Sequence, residues 1–344
     1  MYSFKNDYAE GCHPKILERL VQTNLTQEHG YGEDSFTLQA KKLLREQTNL
    51  PQAEIYFLSG GTQTNLLVIS SILLNHQAVI SAQTGHIYAN ETGAIEATGH
   101  KVIPVQTTTG KLTAAAIEQT IKQFSLRPHV VEPKVVYISN STETGSIYTK
   151  SELEELSVCC RDHGMYLFMD GARLGHALTA ENNDLTLADV ASLVDVFYIG
   201  ATKNGALLGE AVVFSNATLA EYFDYNLKQK GALLAKGRLI GIQFMELFTD
   251  SLYFTLAAHA NSMAYRLKEA IGNKGYSFAG DSTTNQLFPI LPLKLISVLQ
   301  RDFDFYIWQE VDEELAVVRL ITSWATTQEA VNQFVAVLNA FDSI

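Results

Sequence analysis

Two stretches of the chain hold residue types that could do chemistry. Met169-Asp170-Gly171-Ala172-Arg173 sets a carboxylate and a guanidinium where an apolar run stops, and Val196-Phe197-Tyr198-Ile199-Gly200-Ala201-Thr202-Lys203-Asn204-Gly205 sets a single lysine in a turn of small residues. A lysine amine can form an imine with an aldehyde. A carboxylate can keep a ring nitrogen protonated so that the ring accepts electrons, and an arginine can grip an amino acid's carboxylate. That combination suits pyridoxal phosphate. The apolar runs on either side of the turn, Asp195 to Gly200 and Leu207 to Phe214, desolvate Lys203, and a desolvated lysine loses the proton affinity that would block imine formation. Thr202 beside it could offer a hydroxyl to a phosphate.

Ser59-Gly60-Gly61-Thr62 joins an apolar run to a helical pattern, so that backbone N–H groups at Gly60, Gly61 and Thr62 could approach a phosphate at the positive end of a helix. The sequence holds no G-x-G-x-x-G and no G-x-x-x-x-G-K-[ST], which argues against a dinucleotide or nucleoside triphosphate and for one isolated phosphate. His86, in Thr84-Gly85-His86-Ile87-Tyr88, could lay its ring on a cofactor or act as a base; His129, in Arg127-Pro128-His129-Val130-Val131, has no chemical companion nearby. Turn lysines, capping carboxylates and lone loop histidines are more often structural than catalytic. What raises Asp170 and Arg173 above that reading is their place beyond the carboxyl end of a strand, where open α/β sheets bind ligands. No His, Cys or Asp spacing matches a zinc site.

The elements that must position these residues alternate. Strand patterns at 54–58, 78–81, 101–105, 135–139, 166–170 and 194–199 trade places with helical ones at 36–48, 62–74, 88–98, 113–122 and 150–163. Such alternation predicts an α/β fold with a mainly parallel sheet covered on both faces. Residues 1–35 read as an N-terminal arm with one helix at 14–22, 36–238 as a large domain that holds the cofactor, and 239–344 as a smaller α+β domain. In the last, long helices at 239–250 and 252–271 precede strands at 286–291, 304–309 and 316–321 and helices at 293–301 and 327–340, the final one started by a Thr326/Glu329 capping box.

Across 344 residues the net charge is -12 and no basic run occurs, which argues against nucleic acid and anionic membrane partners. The best apolar run, Leu66 to Leu74, is too short to span a bilayer, and three cysteines (Cys12, Cys159, Cys160) make no disulfide framework. A cytoplasmic protein is expected.

Taken in order, the motifs resemble the threonine aldolase and β-eliminating lyase family, pyridoxal-phosphate enzymes of the aspartate aminotransferase-like fold type I. The likeness runs from Asn6-Asp7 through Tyr31-Gly32-Glu33-Asp34, Gly60-Gly61-Thr62 and Asp170-Gly171-Ala172-Arg173 to Lys203 and Arg319. It implies a transferase-like α/β fold, Lys203 as the Schiff-base lysine, Asp170 on the ring nitrogen, His86 stacked on the ring, and Gly60, Gly61 and Thr62 around the phosphate. It also implies Arg173 and Arg319 on the substrate carboxylate with Asn6 helping, His129 near the substrate hydroxyl with His86 or His129 as base, and Tyr31 and Lys228 reaching in from a neighbouring subunit of a homodimer or homotetramer.

The chain departs from the family's commoner pattern. Thr202-Lys203-Asn204 replaces Ser-Lys-Gly, and with Thr144-Gly145-Ser146-Ile147-Tyr148 it looks more like the phenylserine-aldolase-like branch. Gly231-Ala232-Leu233-Leu234-Ala235 replaces a glycine-rich segment ending in arginine, for which Lys236 or Arg238 could substitute. The expected reaction is cleavage of the Cα–Cβ bond of L-threonine or L-allo-threonine to glycine and acetaldehyde. The alternatives are phenylserine cleavage, β-elimination or transamination on another amino acid, and, in a different class, a cofactor-free interaction protein.

Overall fold

In the computed structural model, which describes residues 1–341, a short strand β1 (Tyr2–Ser3) leads to a helix at Pro14–Thr23 that carries its proline in the first turn, where the missing N–H costs nothing. A helix at Ser35–Thr48, capped by the Asp34 side chain, brings the chain to its main sheet. That sheet comprises β2 (Glu54–Leu58), β3 (Gln77–Ala82), β4 (Lys101–Val105), β5 (Glu132–Ser139), β6 (Tyr166–Asp170), β7 (Val196–Gly200) and β8 (Glu210–Phe214), side by side in the order β2-β8-β7-β6-β5-β3-β4. Only β8 runs against its neighbours.

Every residue of β3, β7 and β8 is buried, because both faces of the sheet are covered. The alternation of a strand's side chains sorts them between two cores. Ile55, Ile80, Val136, Leu167, Phe197 and Val213 pack toward the helix Arg238–Phe248, while Val79, Tyr137, Phe168, Tyr198 and Val212 pack toward the helices Gly61–Ile72 and Phe223–Gln229. A third core, with Phe4, Leu267, Leu291, Val318 and Phe334, lies under the antiparallel strands of the C-terminal part, where Leu315–Ile321 pairs with Ile290–Pro292 and Tyr306–Glu310. The first residues join this core: β1 pairs with Phe303–Asp304, and Phe4 is fully buried. Asn6 and Asp7 are thereby held where the C-terminal part meets the main sheet.

Some expected elements differ. The helix expected at 88–98 is a single turn at His86–Ala89 and a 3-10 turn at Glu96–Thr98, because Thr92 and Gly93 take left-handed φ values of 54° and 73°. The strand expected at 286–291 divides into Gln286–Leu287 and Ile290–Pro292 around Pro289, which has no N–H for a ladder. The last helix, Gln328–Ala340, is capped by Thr327, whose side chain accepts from the Ala330 N–H; the Thr326 hydroxyl instead accepts from the Ser323 N–H. Among the described residues no helix is long and apolar enough to cross a membrane.

Candidate active site

Because β2, β3, β5, β6 and β7 run the same way, the turns that follow them meet at one edge of the sheet. There Gly60, Gly61, Thr62, His86, Ser139, Glu143, Asp170, Arg173, Lys203 and Glu210 line a cavity of about 330 Å³.

Asp170 ends β6, opposite Ser139 on β5, and is 4% exposed. Its Oδ1 accepts from the Ala172 N–H at 2.9 Å, and its Oδ2 accepts from the Tyr137 hydroxyl and from Asn65 Nδ2 at 3.2 Å. Burial alone would raise this carboxyl, but the positive His86 and the hydroxyls of Tyr137 and Tyr198 outweigh it and hold the group ionised below its ordinary range. The turn after Asp170 presses so closely on β7 that a Cβ at Gly171 would lie 1.8 Å from the Tyr198 carbonyl oxygen, and one at Gly200 2.5 Å from that of Ala172. Both positions require glycine.

His86 lines the same cavity as Asp170, near enough for each charge to bear on the other. Its Nδ1 meets Glu91 Oε1 at 2.8 Å, and Asn65 Nδ2 donates to the same oxygen at 2.7 Å, so one asparagine ties Glu91 to Asp170. Burial pushes the imidazole down, but Glu91 and Asp170 together raise it above its ordinary value. The His86 N–H also donates to Glu143 Oε1 at 2.9 Å, which takes a second hydrogen bond from Ser139 Oγ at 2.7 Å. Burial, reinforced by the charge of Asp170, lifts the Glu143 carboxyl above its usual range.

Lys203 sits in the turn between β7 and β8. Burial, and then the Arg173 guanidinium, lower its ammonium pKa against the opposing pull of Asp7, Asp170 and Glu210. The Thr202 hydroxyl accepts from the Gly209 N–H at 3.0 Å and donates to Glu210 Oε1 at 2.8 Å. On the far side of that pair, the helix Gly61–Ile72 starts at Gly60 with no side-chain cap, so its first N–H groups face the cavity edge unclaimed.

Arg173 is not a free guanidinium. Its Nε and Nη2 bind Asp7 at 2.7 and 3.0 Å, and Asn285 Nδ2 donates to Asp7 at 2.9 Å. Burial would raise the Asp7 carboxyl, but Arg173 first, and Lys203 after it, hold it far below the usual range. Arg319 lies over Trp308 and Tyr306, at 4.7 and 5.4 Å from their ring centres, and its buried Nε has no partner among the described residues. Burial and the neighbouring charge of Arg173 lower its pKa. Arg173 lines the cavity and is paired with Asp7, whereas Arg319, with Nη2 donating to the Lys5 carbonyl at 3.4 Å, is not among the lining residues and makes no ion pair within 4.0 Å among the described residues.

Residues 7–291 match the β-eliminating lyase family. The chain belongs to that family. It is similar to the low specificity L-threonine aldolase of Pseudomonas aeruginosa, with 32% identity over 335 residues that cover 96% of this chain and 95% of that one. It is similar also to a low specificity L-threonine aldolase of a Pseudomonas species, at 34% over 273 residues and 78% of each chain. A solved threonine aldolase of Leishmania major is 50% identical, with a TM-score of 0.97 over 98% of this chain and 99% of that one. A Thermus thermophilus aspartate aminotransferase is similar in fold alone, with a TM-score of 0.73 at 15% identity over 98% of this chain and 91% of that one.

The cofactor of this β-eliminating lyase family member is pyridoxal phosphate, and the residues present fit it. A buried, ionised carboxylate, a lysine of lowered pKa and an uncapped helix start stand apart around one cavity, as ring nitrogen, aldehyde and phosphate require. Glu210 Oε2, fully buried and without a partner among the described residues, marks a polar contact still to be made.

His129 is a correction. It is exposed and lies in the loop that enters β5, at the end of the sheet opposite Asp170, and it does not line the cavity. Tyr31 and Lys228 pair with each other, Nζ 4.8 Å from the ring centre, and line no part of the cavity of their own chain. The Asn6 side chain accepts from the Tyr8 N–H at 3.0 Å, which leaves its amide N–H groups free beside Asp7. The sequence motifs do not single out Glu91, Glu143, Glu210, Asp7 or Asn65 for a role. A usable signal exists for two of them: Glu143 follows β5 in Ser139-Asn140-Ser141-Thr142-Glu143, and Glu210 is an acidic residue opening an otherwise apolar strand.

Proposed function

We propose that this lyase cleaves the Cα–Cβ bond of β-hydroxy-α-amino acids, L-threonine and L-allo-threonine among them, releasing glycine and an aldehyde. The observation that carries the reading is that Arg173, Lys203 and Asp170 line one cavity, with the charge of Arg319 near enough to bear on Arg173: a place for an amino acid's carboxylate next to a place for its amine. Bound pyridoxal phosphate supplies a carbonyl that captures the amine and a ring system that takes up the electron pair of the broken bond.

Lys203 would hold the cofactor, Asp170 its ring nitrogen, and Gly60, Gly61 and Thr62 its phosphate; the hydroxyl of Thr202, expected there too, has its one proton on Glu210. Arg173 and Arg319, with Asn6, fix the substrate carboxylate, and so select which bond to Cα is poised to break. The His86 ring covers the site, and because Glu91 holds its Nδ1, Nε2 is left to take the proton from the β-hydroxyl oxygen. As that O–H bond breaks, the carbonyl of the aldehyde forms and the Cα–Cβ electrons leave Cβ; a proton delivered to Cα completes glycine. Glu143, anchored through Oε1 by Ser139 and the His86 N–H, adds a second proton acceptor in the cavity.

The same reading takes a homodimer or homotetramer as the working form, with the paired Tyr31 and Lys228 offered to a neighbouring subunit's site. It also takes residues 36–238 and 239–344 as large and small domains, and the cytoplasm, suited to three free cysteines, as the location. The test is to supply the purified holoenzyme with L-threonine, L-allo-threonine and L-phenylserine and to assay the products. Acetaldehyde or benzaldehyde in equal amount to glycine supports the proposal; ammonia and a keto acid in their place would replace it with β-elimination.

A further inference from the structure

Glu210 opens β8 between two site turns. Its lateral partners are Leu58, just before Ser59-Gly60-Gly61, and Gly200, just before the Lys203 turn. The carboxyl therefore lies where the glycine turn and the lysine turn face one another, and it borders the cavity while only 4% of the residue is exposed. Thr202 fixes which of its oxygens is spoken for. The threonine hydroxyl accepts from the Gly209 N–H, so its single proton goes to Glu210 Oε1, and Oε2 is left buried without a partner among the described residues.

A buried carboxylate with one bare oxygen is costly, and a cofactor phosphate arriving at the adjacent glycine turn would add negative charge beside it. A neutral carboxylic acid removes both difficulties, because its O–H is a donor and a phosphate oxygen accepts it. Resting on the pyridoxal-phosphate reading of the site, we propose that Glu210 is a phosphate-binding residue that stays protonated in the holoenzyme and donates from Oε2 to the cofactor's phosphate.

The surroundings agree. Burial lifts this carboxyl to about 8, against the opposing effects of the Thr202 hydroxyl and Lys203 and with the support of Asp170. The other ionisable groups that sense its charge are the phenols of Tyr198 and Tyr253, both pushed upward by burial and therefore neutral. The glycine-turn side brings Ser59 and Thr62 only, and the covering helix Arg238–Phe248 brings Gln243, which accepts from the Leu207 N–H. Among the described residues Lys203 makes no ion pair within 4.0 Å, so Glu210 is not tied up as its counter-ion.

The experiment follows release of pyridoxal phosphate from full-length holoenzyme by its visible band, with wild type and Glu210→Gln compared from about pH 6.5 to 9.5. The cofactor's 31P resonance is recorded on the same samples. The glutamine amide is a neutral donor of the same shape, so near pH 7 its affinity should match wild type within about threefold. Above the glutamate's titration the wild type should lose affinity by up to about tenfold per pH unit relative to the variant. The wild-type 31P resonance should step at that same pH, and the variant's should not. Glutamine weakening the cofactor tenfold or more at neutral pH, or a wild-type resonance with no such step, would overturn the assignment; the resonance alone decides if the variant does not fold. A wild type that never shows the visible band would instead refute the cofactor reading on which the proposal rests.

Discussion

Asp7 and Arg173, 166 residues apart in the chain, form a bidentate ion pair at 2.7 and 3.0 Å with Asp7 fully buried. Asn285 joins them at 2.9 Å, so one carboxylate ties the first residues, the edge of the main sheet and the C-terminal part together at the mouth of the site.

Removing the carboxylate's charge leaves a buried guanidinium uncompensated. Asp7→Asn is therefore expected to destabilise the fold by about 3 kcal/mol, measured by urea unfolding at neutral pH. The pH dependence has a definite sign. A carboxyl whose pKa is lower folded than unfolded contributes fully above its unfolded value near 3.9 and gives that contribution up as pH falls toward the folded one. Wild type should lose stability below about pH 4 more steeply than Asp7→Asn; parallel profiles would deny the pair this role.

Arg319 lies on two aromatic rings with Nη2 on the Lys5 carbonyl at 3.4 Å, and its Nε is without a partner among the described residues, so one donor is left for a ligand. Arg319→Lys keeps the charge but loses the planar fork. It should raise KM for the amino acid by about tenfold or more with a smaller change in kcat, since a hydrogen bond to a charged group contributes about 1.5–3 kcal/mol. An unchanged KM would remove Arg319 from the substrate site.

His86 is held above its ordinary pKa against burial by Glu91 and Asp170. If its neutral form accepts the β-hydroxyl proton, kcat/KM rises with pH through that titration. Glu91→Gln removes one support of the imidazolium, so the acid limb of the profile should move to lower pH. A limb that stays in place assigns the base to another group, with Glu143 the first to examine.

Much of this site is legible in the amino-acid sequence because Asp170, Arg173, Lys203 and the glycine turn each sit within a few residues of a strand end. Their chemistry and their position are carried by the same short segment. Asp7, Glu91, Asn65 and Glu210 are not legible in that way: what makes them part of the site is strand order and side-chain direction, which a linear pattern does not contain. His129 shows the error that follows. It precedes the parallel strand β5 and so lies at the opposite edge of the sheet, whereas Glu143 follows that strand and reaches the site, as does Glu210 by opening the antiparallel strand β8. The helix expected at 88–98 fails for a related reason, since Glu91 turns inward to serve His86 and not a helical repeat.

The placement of His129 can be checked directly. His129→Ala, exposed at the far end of the sheet, should leave kcat and KM within about twofold of wild type, as surface substitutions generally do. A loss of activity of tenfold or more would contradict the position described above.

The chemistry of the whole site turns on Lys203 being the amine that carries the cofactor. Borohydride reduction of the holoenzyme followed by peptide mapping tests this at a single atom. One pyridoxyl-phosphate adduct is expected, on the peptide containing Thr202-Lys203-Asn204, and none in Lys203→Ala; an adduct on a different lysine, or the same adduct yield without Lys203, would contradict the assignment.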